Sequence, residues 1–277
     1  MKSGILSAAA ANGRNLAVAC LAVVPGLLFH SSPVFAGACG DDVAGERVAC
    51  ACGDTVVSDT VLWATDPVVS EPCPRDGLVI QAPAGSDGLT LDLGGQSIVG
   101  LGKGAGVRVS NGGNLGAVLV GGEDGRGQIA RFRTGVQAHG RNALREIRGV
   151  DLVANLDDGL QARSSGAKVA DVRADANGRD GVRLSGHGID VSSVTANSNN
   201  DDGLQVRGAG ARVSASTTGN AGNGAVVSGR GNRVEAIESS GNGGAGILAT
   251  GEGHVLGESN LDDNARGAVT GRTGALR

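Results

Sequence analysis

From about residue 143 onward, apolar and polar residues alternate in short bursts that return at a fixed interval. The bursts "GLQA", "GVRL", "GLQV", "GAVV", "GILA" and "GAVT" each open on a glycine. Such alternation turns one set of side chains inward and the other outward on an extended strand. A second apolar stripe precedes each burst, as in "VADVRADAN" and "VSSVTANSN". Between the stripes stands an asparagine: Asn155, Asn177, Asn199, Asn220, Asn242 and Asn264, spaced by 22, 22, 21, 22 and 22 residues. Gly159, Gly181, Gly203, Gly224 and Gly246 follow four residues later, and Gly267 follows three later. Looser copies occur upstream in "GVRV" and "GVQA". One strand-rich unit is being stacked, and stacking is what buries its apolar face.

Three architectures use units of comparable size. A calcium-binding roll needs GGxGxD nonapeptides, which the chain lacks. A leucine-rich repeat shares the inward asparagine, but valine and alanine dominate the later copies here. The pattern predicts an all-β, right-handed parallel β-helix of about eight or nine rungs, about 22 residues each, over residues 77–277. Composition agrees: 50 glycines, no tyrosine and one tryptophan leave Val, Leu, Ile and Ala to fill a narrow interior. The asparagines are expected to form a ladder of side-chain amides between rungs. The repeat glycines are expected to supply positive φ.

The first 36 residues read as an export signal. Lys2 and Arg14 precede or flank the apolar "NLAVACLAVVPGLLF", and "SSPVFA" places small residues before a cleavage expected after Ala36. Without that segment the chain keeps Cys39, Cys50, Cys52 and Cys73, an even set crowded into a cap spanning residues 37–76. Two disulfides formed outside the cytoplasm are expected, with sequential closure (Cys39–Cys50 and Cys52–Cys73) preferred among three possible pairings. The expected location is therefore secreted, periplasmic or cell-surface, with no membrane span after processing. Charge adds one exclusion. With Lys2 and Arg14 removed, 28 acids face 22 bases, unlike a nucleic-acid-binding surface.

Residues 53–100, "GDTVVSDTVLWATDPVVSEPCPRDGLVIQAPAGSDGLTLDLGGQSIVG" after Cys52, together with "GQIARFRTGV", resemble bacterial exported right-handed β-helix repeat proteins. More loosely, the chain is similar to the pectate-lyase-like superfamily. That resemblance implies the β-helix fold. It leaves activity open, because the superfamily includes lyases, hydrolases, epimerases and adhesins.

With strand alternation counted from each repeat glycine, the second residue points outward: Arg108, Gln137, Gln161, Arg183, Gln205, Val226, Leu248 and Val269. The fourth also points outward, giving Arg163, Ser185 and Arg207, while Asp158, Asp180 and Asp202 stand just before their glycines. Stacked carboxylates repel unless a cation or guanidinium lies among them. Two readings follow. In one, Asp180, Asp201 and Asp202 hold a weakly bound Ca²⁺, and Arg183 and Arg207 engage an acidic sugar, with these residues as candidate catalytic groups. In the other, Asp-Gly makes a turn and each aspartate caps its own backbone. Asp158, Gln161, Arg163 and Gln205 complete the candidate binding surface. The leading expectation is a non-catalytic scaffold that contacts polysaccharide or another protein; the alternative is a lyase or hydrolase acting on acidic glycans. No cofactor is expected beyond the possible calcium. Val226, Leu248 and Val269 predict an apolar stripe suited to self-association. His139, His187 and His254 fall in different columns and do not make a metal triad.

Overall fold

The computed structural model describes residues 37–271 apart from position 124. Segment 1–36, with its expected cleavage after Ala36, lies outside the described residues. Strands Leu160–Arg163, Val182–His187, Leu204–Ala209, Ala225–Arg230 and Ile247–Glu252 lie side by side in parallel, one per turn. Their register is the one the repeat dictates. Leu160 pairs with Val182, Val182 with Leu204, Leu204 with Ala225 and Ala225 with Ile247. They belong to a 12-stranded sheet; a 13-stranded sheet wraps the rest of the solenoid. The four-residue segment Pro67–Ser70 is the helix among the described residues.

The solenoid has about 10 turns rather than eight or nine. The difference comes from the N-terminal segment, whose strands already coil: Ala38 pairs in parallel with Thr55, and Thr55 with Val79. The chain is covalently tied there by Cys39–Cys50 and Cys52–Cys73. Such bonds go with an oxidising, extracellular-type environment. No helix among the described residues is long and apolar enough to cross a membrane.

The second sheet explains how the coil closes. In earlier turns two short strands, such as Lys168–Ala170 and Arg173–Asp175, flank a corner at Asp171 with φ 49°. One turn later they fuse into Asp190–Asn197, bent at Ser193 with φ 52°. The residue before each ladder asparagine is left-handed as well: Ala154, Ala176, Ser198, Gly219, Gly241 and Asp263. Positive φ therefore belongs to this corner and, of the repeat glycines, only to Gly267 with φ 91°; Gly159, Gly181, Gly203, Gly224 and Gly246 correct the expectation. A Cβ on Gly181 would come within 2.7 Å of Asn199 Nδ2 and of Gly203 O. Gly159, Gly181, Gly203 and Gly246 are needed because the next rung's asparagine packs against their backbone, and at Gly224 the hydroxyls of Thr217 and Ser239 take that place.

The ladder itself is buried and closed. Asn177 Oδ1 accepts from the backbone N–H and the side-chain amide of Asn155, at 3.1 and 3.0 Å. Asn177 Nδ2 donates to Asn199 Oδ1 and to Leu152 O, each at 3.0 Å. The same pattern continues through Asn199, Asn220, Asn242 and Asn264. From Asn177 to Asn242 each amide thus uses both donors, and its oxygen accepts twice, so a polar column stands in the interior with its hydrogen-bonding groups paired. Around it, the first and third residues of each burst form the core, from Leu160 and Ala162 to Ile247 and Ala249.

Candidate functional site

The three aspartates do form a column, but not as separate turns. Asp158 Oδ1 accepts the backbone N–H of Asp180 at 3.2 Å, and Asp180 Oδ1 accepts that of Asp202 at 3.1 Å. Asp202 Oδ1 accepts from the backbone N–H and the side-chain amide of Asn223, at 2.7 and 2.9 Å. Asn223 Oδ1 then takes the N–H of Ala245 at 2.9 Å. This is a second ladder, running beside the asparagine one. The expectation that each aspartate caps its own backbone is corrected: the acceptor always serves the next rung. Parallel stacking brings that N–H within reach, whereas an isolated turn would offer only its own.

Burial follows from the stacking. Asp180 is 0% exposed and Asp158 1%. The second oxygen of Asp180 meets Arg183, whose Nε and Nη2 each lie 2.7 Å away. Arg183 Nε is also 3.6 Å from Asp158 Oδ2, which accepts from Gln161 Nε2 at 3.1 Å. Burial, only partly offset by Arg183's hydrogen bond and charge and reinforced by Asp158 and Asp202, pushes the Asp180 carboxyl up to about 6. For Arg183, burial alone would favour loss of the proton. The hydrogen bond and charge of Asp180 outweigh it and hold the guanidinium above its ordinary value.

Exposed Asp201 completes a trio, its ligand oxygens and those of Asp180 and Asp202 lying within 4.8 Å of one another. Calcium prefers six to eight oxygens. Here Asp180 has given one oxygen to a backbone N–H and the other to a guanidinium, so the trio fits a calcium ion poorly, and the chemistry below does not use one.

Of the other residues expected at this site, Arg163 and Arg207 stand apart. They are fourth after their glycines, opposite Ser185 in neighbouring turns, exposed, and meet no carboxylate within 4.0 Å among the described residues. Five residues of extended chain separate Arg207 from Asp202, roughly 16 Å. Gln205 is buried at 8%, not exposed, because Arg183 and Val226 flank it in register. Val226 is buried likewise. Val269 pairs with Ile247 and so occupies the inward column; Thr270 sits opposite Leu248. The three-residue gap before Gly267 misled the count by one position. The apolar stripe therefore reduces to the half-buried Leu248.

A polar cleft of about 370 Å³ borders the acidic ladder. It holds residues that column counting had not joined: Arg133, Asp157 and Arg179, with Arg108, Gln137 and Gln161. Arg133 Nε donates to Asp157 Oδ2 at 2.8 Å. Arg108 Nε and Nη2 donate to Asp76, and its Nη1 to Gln137 Oε1. Burial disfavours the Asp76 anion, but the hydrogen bonds from Arg108 and the Ala105 N–H outweigh it and hold Asp76 below the usual carboxylate range. A signal for this cleft was present. Two residues before each repeat glycine the chain reads Arg133, Asp157, Arg179 and Asp201, alternating in charge from turn to turn.

Compared with known protein families, with curated proteins and with solved structures, the chain matches none of them.

Proposed function

We propose that this chain is an exported β-solenoid scaffold, similar to pectate-lyase-like repeat proteins, that binds polysaccharide along the first sheet without transforming it. One observation carries the reading: the outward column Arg108, Gln137, Gln161 and Arg183 offers linked polar side chains on successive turns. Gln137 Nε2 donates to Gln161 Oε1 at 3.4 Å, and the flanking cleft adds Arg133 and Arg179. A repeating row of donors and acceptors suits a repeating polymer, whose units meet equivalent groups turn after turn. Guanidinium forks add affinity for carboxylate-bearing sugars.

A second reading, a lyase or hydrolase on acidic glycans, draws on the raised pKa of Asp180 beside Arg183. Access weighs against it. A general acid or base must come within about 3 Å of the proton it moves, and both Asp180 oxygens are engaged inside the ladder.

A glycan array probed with the exported protein, with and without Ca²⁺, tests the proposal, followed by an ultraviolet assay for unsaturated products on polygalacturonate and alginate. Retention of a polysaccharide without product is expected, unchanged by chelation. Product formation would replace the scaffold reading with the enzymatic one, and loss of binding on chelation would restore calcium to the site.

A further inference from the structure

The opposite end of the first sheet carries a second cleft, of about 950 Å³, and none of the residues lining it is acidic. Its side chains form two columns of three. His139 pairs in register with Arg163, and Arg163 with Ser185. Two residues further along each strand, Ser165 N–H donates to Arg141 O at 3.0 Å and His187 N–H donates to Ser165 Oγ at 3.2 Å. Each of three consecutive turns therefore contributes one residue to each column, and the array holds two arginines, two histidines and two serines. Gly186 lies between the columns, where a Cβ would come within 2.3 Å of Ser164 O, so the two turns pack backbone against backbone there.

The arginines of this cleft lack the aspartate partners that several arginines elsewhere have. Arg47, Arg108, Arg126, Arg133 and Arg183 each meet an aspartate. Arg141 and Arg163 meet no carboxylate within 4.0 Å among the described residues, as is also true of Arg179 and Arg207, but here no acidic residue lines the cleft at all, whereas Asp157 and Asp158 line the one that holds Arg179. His139 Nε2 is 3.0 Å from Gln161 Oε1, which makes Nε2 the donor and anchors the ring at the rim.

We propose that this cleft binds a phosphate or sulfate monoester carried on a larger molecule. Two guanidiniums from adjacent turns, Arg141 and Arg163, and a hydroxyl from the third, Ser185, line the same cleft. A planar carboxylate offers two oxygens in one plane, whereas a tetrahedral monoester offers three that splay toward such donors. The cleft is far larger than a lone oxyanion, so the group enters as a substituent of a bigger ligand. This cleft adjoins the Arg108–Arg183 column through the His139–Gln161 contact, but its arginines and serines are not part of that column, and the inference does not rest on what the column binds.

Calorimetric titration of the whole protein with glucose 6-phosphate, glucose 6-sulfate, glucuronic acid and glucose tests the proposal. Either or both monoesters bind, their ratio identifying the preferred oxyanion, while glucuronic acid binds at least tenfold more weakly and glucose gives no heat. Arg141→Gln combined with Arg163→Gln weakens monoester binding at least tenfold with an unchanged melting temperature. Arg212→Gln, an exposed arginine on the second sheet, leaves it intact. Absence of heat with both monoesters, equal binding of glucuronic acid, or an equal loss in Arg212→Gln overturns the assignment. If the double variant melts lower, Ser185→Ala serves in its place, with a threefold or greater loss expected and no loss refuting it.

Discussion

Replacing Asp180 with Asn probes whether the acidic ladder is held together despite its charge. The substitution keeps the acceptor that takes the Asp202 N–H. It also has a precedent two positions along the column, because Asn223 accepts the next rung's N–H and donates its amide to Asp202. An asparagine at 180 can repeat that arrangement toward Asp158. Lifting the Asp180 pKa from 3.8 to about 6 corresponds to about 3 kcal/mol at about 1.4 kcal/mol per pKa unit. By that much the folded state disfavours the ionised over the neutral carboxyl. Asparagine imitates the neutral form, so the variant gains up to this amount at pH 7; about 1–3 kcal/mol is expected once the changed donor is allowed for.

The sign follows from proton linkage. Folded Asp180 holds its proton to higher pH than the unfolded chain does, so the favourable neutral form is fully present below the unfolded value near 3.8 and is lost as pH rises through about 6. The variant's advantage therefore vanishes near pH 4, grows between pH 4 and 6, and levels off above. Urea midpoints at pH 4, 5, 6 and 7, with the slope unchanged, measure it. A variant less stable than wild type by the same margin at every pH would refute the reasoning, because Arg183 pairing would then outweigh burial.

Other substitutions test the scaffold. Asn199→Leu removes the acceptor for Asn177 and the donors to Ala174 O and Asn220 Oδ1. It should cost about 3 kcal/mol or more by urea denaturation, and a cost below 1 would count against the ladder. Ala176 has φ 56° where Gly219 and Gly241 stand in later turns. Ala176→Gly should stabilise by about 0.5–1 kcal/mol and Gly219→Ala destabilise by about 1, in thermal melts. Disulfides closing separations of 11 and 21 residues should each contribute about 3 kcal/mol by loop-closure entropy. Titrating reductant against the urea midpoint checks this, and an unaltered midpoint in fully reduced protein would refute it.

The fold was legible because stacking makes the same demand at every turn. A residue that must face inward beside Leu160 and Val182 must be apolar again at Leu204, and an asparagine that completes a ladder is useful only when the next turn has one. Such requirements leave periodic traces, and the disulfides were legible because four cysteines share one short segment. What sequence did not reveal was how turns meet. The glycines look like positive-φ positions until Asn199 is seen against Gly181, and the aspartates look self-capping until Asp202's N–H is seen on Asp180. These are contacts between residues 18 and 22 apart. Outward positions are harder, since the solenoid does not require anything particular of them. There, information lies in departures from the repeat: the charge alternation of Arg133, Asp157, Arg179 and Asp201, or the change from Arg183 to Val226 two turns later. A surface that merely kept the coil soluble would have no need to gather Arg141 and Arg163 in an acid-free cleft at one end of the sheet while arginines and aspartates alternate at the other. Stacking accounts for the inward columns. A change from mixed to purely basic lining across a sheet only a few residues wide is what binding would add.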